Sequence, residues 1–226
     1  MPHLWQHRSK QPSHTACAGG SFSPPVTPAL PPGPDAKRLL RERTLAARAA
    51  LPAPTRAAAS DAIAARLVAH PAWREARTVV LYAPLGAEVD TAPLFRLAAA
   101  AGKRVAWPRL VDSGRAMELV ACDAAALVPG PARALEPPPA ATALPLSEVD
   151  VLVVPGVAFD ASGGRLGRGR GHYDATLALL PRTAWKVGLA FDAQVVDAVP
   201  AEPHDFHLDA VVTESRLLAR PERAGG

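Results

Sequence analysis

Residues 149–154 read Val-Asp-Val-Leu-Val-Val and run into Pro-Gly-Val-Ala-Phe-Asp (155–160), then Ala-Ser-Gly-Gly-Arg-Leu-Gly-Arg-Gly-Arg-Gly-His-Tyr-Asp (161–174). The first six are short, β-branched and almost wholly apolar, the pattern of a strand buried on both faces. A glycine-rich loop follows, then a helix from about Gly171 to Leu180. A strand that feeds a loop and a helix is the repeating unit of a parallel α/β sheet. Upstream, the sequence predicts a helix from an Asp35 N-cap to Ala50, stopped by Pro52, and a second from about Thr55 to His70. Arg77–Ala83 and Lys103–Trp107 read as strands. Between them a helix starts at Asp90 or Thr91 and runs to Ala101, with Gly102 in the C′ position. Ala116–Cys122 is a further strand, and 127–147 reads as a long irregular connection. Downstream, Lys186–Phe191 and Ala210–Thr213 supply two more strands. The expected fold is α/β: a single domain with a mainly parallel central sheet flanked by helices on both faces.

The chain has 226 residues, enough for one sizeable core. Its 25 Lys+Arg against 21 Asp+Glu give a formal charge of +4. Arg8 and Lys10 stand in an acid-free stretch, which leaves the remainder at +2. That is too small a surplus for a general nucleic-acid binder. Residues 1–34 hold eight of the 25 prolines and no apolar periodicity, so a disordered tail is expected there. The domain is expected over 35–218, with 219–226 as a C-terminal tail. His3, His7 and His14 lack cysteine or carboxylate partners for a metal. Cys17 and Cys122 are too few for a disulfide framework, which points to a reducing compartment. No run of about 18 apolar residues could span a membrane. The expected setting is the cytoplasm, and the default state of one such domain is a monomer.

Five of the 16 glycines fall at 163, 164, 167, 169 and 171, interleaved with Arg165, Arg168 and Arg170. Ligands bind at the carboxyl ends of parallel strands, and helix N-termini attract anions. Glycines let the backbone approach a phosphate, and guanidinium groups add charge-assisted bonds. Together these suggest a polyphosphate cradle, although neither GxxxxGK[ST] nor GxGxxG is present. The residues alone leave open a solvated Gly/Arg loop or a single-stranded RNA contact.

The stretch from Val153 to Asp174 resembles the signature of the 5-formyltetrahydrofolate cyclo-ligase family. Three more blocks are similar to that family in the same order: Lys37–Arg41, Tyr82–Thr91 and Glu202–Glu214. The resemblance implies ATP- and Mg²⁺-dependent closure of 5-formyltetrahydrofolate to 5,10-methenyltetrahydrofolate, with ATP as co-substrate and both substrates small molecules. By the same resemblance, ATP would be bound by Lys37, Arg38, Leu39, Leu40 and Arg41, and by the loop Arg165, Leu166, Gly167, Arg168, Gly169, Arg170, Gly171, His172 and Tyr173. Folate would meet Ala83, Glu88 and the part of the loop from Arg168 to His172. Arg168 would stabilise the transferring phosphoryl group, and Asp174 and Asp205 would hold Mg²⁺.

Each assignment has a plainer alternative. Lys37 and Arg41, four apart, could form a solvated helix face, and Arg38 reads as a surface residue. Asp174 could be a first-turn helix acid, Asp205 a turn residue and Tyr173 a core anchor. Asp90 reads as a cap. Trp107 fits the folate pocket and the core equally. His204 and His207 are poorly spaced for a metal. His172 stands where the family commonly has an aromatic, and Arg170 where Lys or Gly is common. A folate-binding protein without turnover is the competing function.

Overall fold

The computed structural model describes residues 35–111, 114–131, 134–202 and 205–220. The expected tail at 1–34, the segment 221–226 and His204 lie outside the described residues. Helices α1 (Ala36–Ala50), α2 (Ala53–Val68) and α3 (Pro71–Glu75) lead into strand β1 (Thr78–Val80). Helix α4 (Ala92–Ala100), β2 (Arg104–Arg109) and β3 (Glu118–Ala121) follow, then the short pair β4 (Val128–Pro129) and β5 (Leu135–Glu136). Next come β6 (Val151–Val154), β7 (Ala158–Phe159), β8 (Arg165–Leu166) and α5 (His172–Leu179). Strands β9 (Trp185–Leu189), β10 (Ala210–Val212) and β11 (Leu217–Ala219) close the chain.

Seven strands form one sheet in the order β11-β10-β9-β6-β1-β2-β3. The inner neighbours from β10 to β2 pair parallel, and the edge strands β3 and β11 pair antiparallel. Strand alternation sends Val79, Leu81, Val151, Val153 and Val187 to one face, where Ile63 and Leu67 of α2 and Leu94 of α4 cover them. Val80, Leu152, Val154 and Val211 face the other side, under Leu177 of α5 and Phe159. The expected sheet with helices on both faces is therefore what the residues build. Helix α1 packs elsewhere: Leu40, fully buried, meets Ala158 and Leu166 of the β7–β8 hairpin, together with Val199.

That hairpin lies inside the stretch expected to be loop. It closes because Asp160 is a buried acceptor: its Oδ1 takes Ser162 N, Ser162 Oγ and Gly164 N, and its Oδ2 takes Val199 N. Burial alone would raise the Asp160 carboxyl, but these bonds outweigh it and hold the group below its ordinary value. Gly163 has φ +82°, and a Cβ there would sit 2.2 Å from Leu208 O, so no side chain fits the turn.

Other expectations shift locally. Asp35 precedes α1, but its carboxylate accepts from Arg38 rather than capping the helix. Helix α2 starts two residues early, and Pro71 opens a separate turn of helix beyond it. Asp90 does accept from Ala92 N at the start of α4, and Gly102 takes φ +67° at its end. The irregular 127–147 connection contains the β4–β5 pair, and β11 runs to Ala219, past the boundary set at 218.

Asp160→Asn keeps the Oδ1 acceptor but turns a donor toward Val199 N–H. The expected loss is about 1–3 kcal/mol, read from urea unfolding at pH 7. Because the folded carboxyl is depressed, its stabilisation is present above the unfolded value near pH ~4 and is lost as pH falls through the folded one. Wild type and variant should therefore converge in acid.

Candidate active site

The chain leaves β1 for β2 on one side of the sheet, and β6 for β9 on the other. A crevice opens at the carboxyl ends of β1 and β6, where the strand order reverses. Tyr82 and Ala83 follow β1, and Pro155 and Gly156 follow β6; all four line a cavity of about 810 Å³. Helix α1 forms one wall, because seating Leu40 on the hairpin turns Lys37 and Arg41, one turn apart, toward the cavity. The segment Arg165–Ala175 forms another wall, and Leu110, Met117 and Leu135 add an apolar one.

Charges in the cavity are matched by position. Lys37 Nζ lies 2.7 Å from Asp205 Oδ2 and 3.3 Å from Glu202 Oε1. Arg165, with 3% of its side chain exposed, donates to Asp174 Oδ1 at 2.7 Å and lies over the Tyr173 ring. Arg168 NH2 donates to Glu88 Oε1 at 2.9 Å, and Glu88 Oε2 accepts from Leu85 N at 2.9 Å. Arg41 Nε donates to Gly167 O. Arg41, Arg115 and Arg170 line the cavity without a carboxylate partner among the described residues. These guanidinium groups remain available to an anion of high charge.

Burial sets the remaining ionisations. The Tyr82 phenol is driven well up by desolvation, with Glu88 adding to the shift, and its hydroxyl donates to Val89 O. Tyr173 is pushed up for the same two reasons in the same order. Both stay neutral donors at physiological pH. Arg48 donates to Gly156 O; burial lowers its guanidinium, and Glu88 pulls the other way.

The cavity can also be tested for a metal. Asp174 and Asp205 both line the cavity, and Asp174 Oδ1 lies 3.5 Å from the backbone N of Phe206, the residue after Asp205. Asp174 Oδ2 takes no hydrogen bond within the described residues. Among those residues no group of three or more His, Cys, Asp or Glu gathers at one point. An ion here would complete its shell from substrate oxygens and water, which is the habit of Mg²⁺. The residues fit that group.

A family model for the 5-formyltetrahydrofolate cyclo-ligase family matches residues 34–214. The chain belongs to that family. It is a ligase by that membership, and its relatives agree with the fold. The 5-formyltetrahydrofolate cyclo-ligase of Escherichia coli (strain K12) is 39% identical over 158 residues, which are 68% of this chain and 87% of that protein. That of Mycolicibacterium smegmatis is 36% identical over 146 residues, 62% of this chain and 75% of that one. The solution structure of Aquifex aeolicus 5,10-methenyltetrahydrofolate synthetase superposes with a TM-score of 0.73 at 32% identity, covering 84% of this chain and 96% of that one.

Within this cyclo-ligase, the structure gathers most of the residues named from sequence. Lys37, Arg41, Ala83, Glu88, all of Arg165–Tyr173, Asp174 and Asp205 line the one cavity. Arg38, Leu39 and Leu40 do not: Arg38 is exposed between Asp35 and Glu42, and Leu40 is core. The glycines divide as well. Gly167, Gly169 and Gly171 line the cavity, whereas Gly163 and Gly164 serve the hairpin turn. Gly171 takes φ +72° to start α5. Trp107 is core, its Nε1 donating to Cys122 O beneath Phe95. His207 contacts Ser162 O, and His172 contacts Arg115 O. Tyr82 and Glu202, which open two of the family-like blocks, join the lining, as do Arg115 and Met117, which carry no signal in isolation; Arg48 reaches the lining residue Gly156 from outside it.

Arg165→Met leaves Asp174 without its buried partner. The expected cost is about 2–3 kcal/mol, discounted because Asp174 is 23% exposed. Asp174→Asn in the same chain should restore part of it in urea unfolding. Strict additivity would mean that the two side chains are not coupled.

Proposed function

We propose that this ligase closes 5-formyltetrahydrofolate to 5,10-methenyltetrahydrofolate at the expense of ATP. The observation that carries the reading is the convergence of Lys37, Arg41, Arg165 and Arg168 with Asp174, Asp205 and Glu88 on one cavity at the sheet's reversal point.

The chemistry needs two substrates in contact and little else. The formyl oxygen is a poor leaving group until phosphorylated. It attacks the γ-phosphorus of ATP, the bond to the leaving ADP oxygen breaks, and an N5-iminium phosphate forms. N10 then attacks that carbon, its proton departs, and the carbon–oxygen bond breaks to release inorganic phosphate. Positioning and charge neutralisation supply most of such a rate enhancement. Lys37, Arg41 and Arg165 are assigned to the phosphates, and Gly167–Gly171 to close backbone approach. Arg168, exposed and able to move, is assigned to the transferring phosphoryl group, where a guanidinium follows the charge as it develops. Glu88 would receive N–H donors from the pterin edge beside Ala83. Leu110, Met117 and Leu135 suit the aromatic part of folate. His172 and Arg170 would face the folate at the loop's exposed end.

Asp174 and Asp205 would hold Mg²⁺, which supplies neutralisation of phosphate charge when bound. Their pairing with Arg165 and Lys37 orients both acids. The same reading takes the protein as a monomer acting on small molecules. No described helix is long and apolar enough to cross a membrane. The sparse cysteines support a cytoplasmic setting.

The reading is tested by near-ultraviolet absorbance of the purified protein with 5-formyltetrahydrofolate. The methenyl band should grow only with MgATP. Arg168→Ala should lower kcat about 10²–10³-fold, with intact folding by circular dichroism. Folate binding without turnover would favour the competing binding-protein reading.

A further inference from the structure

Arg168 and Glu88 carry different roles in the proposed reaction, yet they are bonded to each other. The guanidinium NH2 lies 2.9 Å from Glu88 Oε1, across 80 residues of sequence. The two ends are unlike: the Glu88 side chain is 8% exposed and the Arg168 side chain 51%. Glu88 is also anchored, with its other oxygen on Leu85 N. The fixed partner is therefore the acid, and the partner able to leave is the arginine. While the pair holds, Glu88 Oε1 is occupied and Arg168 is turned toward the end of the cavity assigned to the pterin.

We propose that Glu88 is a positioning residue for Arg168: it holds the guanidinium away from the phosphoryl group until folate takes the carboxylate and releases it. This rests on the function proposed above. The N–H donors of the pterin edge compete with Arg168 for one oxygen, so folate occupancy and a free Arg168 go together. Glu88 is not orphaned when the arginine leaves, because incoming N–H groups replace it and buried Arg48 remains within electrostatic reach. By linkage, folate raises the affinity for nucleotide and nucleotide raises the affinity for folate by the same factor. ATP bound alone meets a site lacking its main transition-state cation, which guards against futile hydrolysis.

The test is a binding cycle on the full chain, with a non-hydrolysable ATP analogue plus Mg²⁺ as the probe and calorimetry as the readout. In wild type, saturating tetrahydrofolate, which lacks the formyl group and cannot react, should tighten analogue binding. Glu88→Gln, isosteric and uncharged, should tighten it without folate, on the order of threefold, the reach of a half-exposed ion pair. In Arg168→Ala both effects should vanish. An unchanged or weaker analogue affinity in Glu88→Gln, or a folate effect that survives in Arg168→Ala, overturns the proposal. If Glu88→Gln fails to fold, the folate effect in wild type and its loss in Arg168→Ala decide alone. Failure of tetrahydrofolate to bind would count against the proposed function instead, while the Glu88→Gln measurement would still decide the holding role.

Discussion

One buried carboxylate organises the region on which the site depends. Asp160 accepts four hydrogen bonds, three from the Ser162–Gly164 turn and one from Val199. A charged group in so enclosed a place is tolerable only because its acceptor capacity is used. The bonds close the β7–β8 hairpin and tie it to the segment before Asp205. Arg165 and Gly167 leave that hairpin in a fixed direction, and Leu40 of α1 docks on its other side. Without that anchor, neither α1 nor the arginine loop has a defined place beside the sheet.

Three acids of the resting site already have a cation beside them. Lys37 sits on Asp205, Arg165 on Asp174 and Arg168 on Glu88. Each acid assigned to a metal or to a pterin thus has a side-chain cation in place. Such pairs lower the cost of keeping charges in a partly enclosed cavity. They also mean that a ligand reaching one of these acids enters by exchange, whereas Arg41, Arg115 and Arg170 stay open to an anion.

Much of this was legible in the sequence, for identifiable reasons. The six residues Val149–Val154 announced the central strand because burial on both faces leaves no polar alternation to confuse with a helix. Gly102 marked the end of α4 because a left-handed residue is needed there. The hairpin inside 155–171 was hidden, since two-residue strands have no periodicity and their closure depends on Val199, far along the chain. The Asp35 cap failed because Arg38 competed for the same oxygen. At the site, residues with family counterparts were found by motif. Arg38, Leu39 and Leu40 were carried along by adjacency, although a helix turns two of every four neighbours away from a ligand. Arg48 was invisible for the opposite reason: it looks like ordinary helix sequence until the crevice is assembled.

Lys37 touches Asp205 across 168 residues, and Arg41 touches Gly167 across 126. Contacts of such sequence separation form late, since loop closure must precede them. During synthesis, α1 has no docking surface until the hairpin and Val199 have followed it out. It therefore waits as an isolated segment of 15 residues, a length at which helices are marginal in water. A ribosome-bound chain shorter than about 200 residues holds most of the sheet yet lacks Asp205 and its neighbours. The candidate pocket is thus among the last parts of the molecule to exist, and products truncated before Asp205 would lack one of its walls.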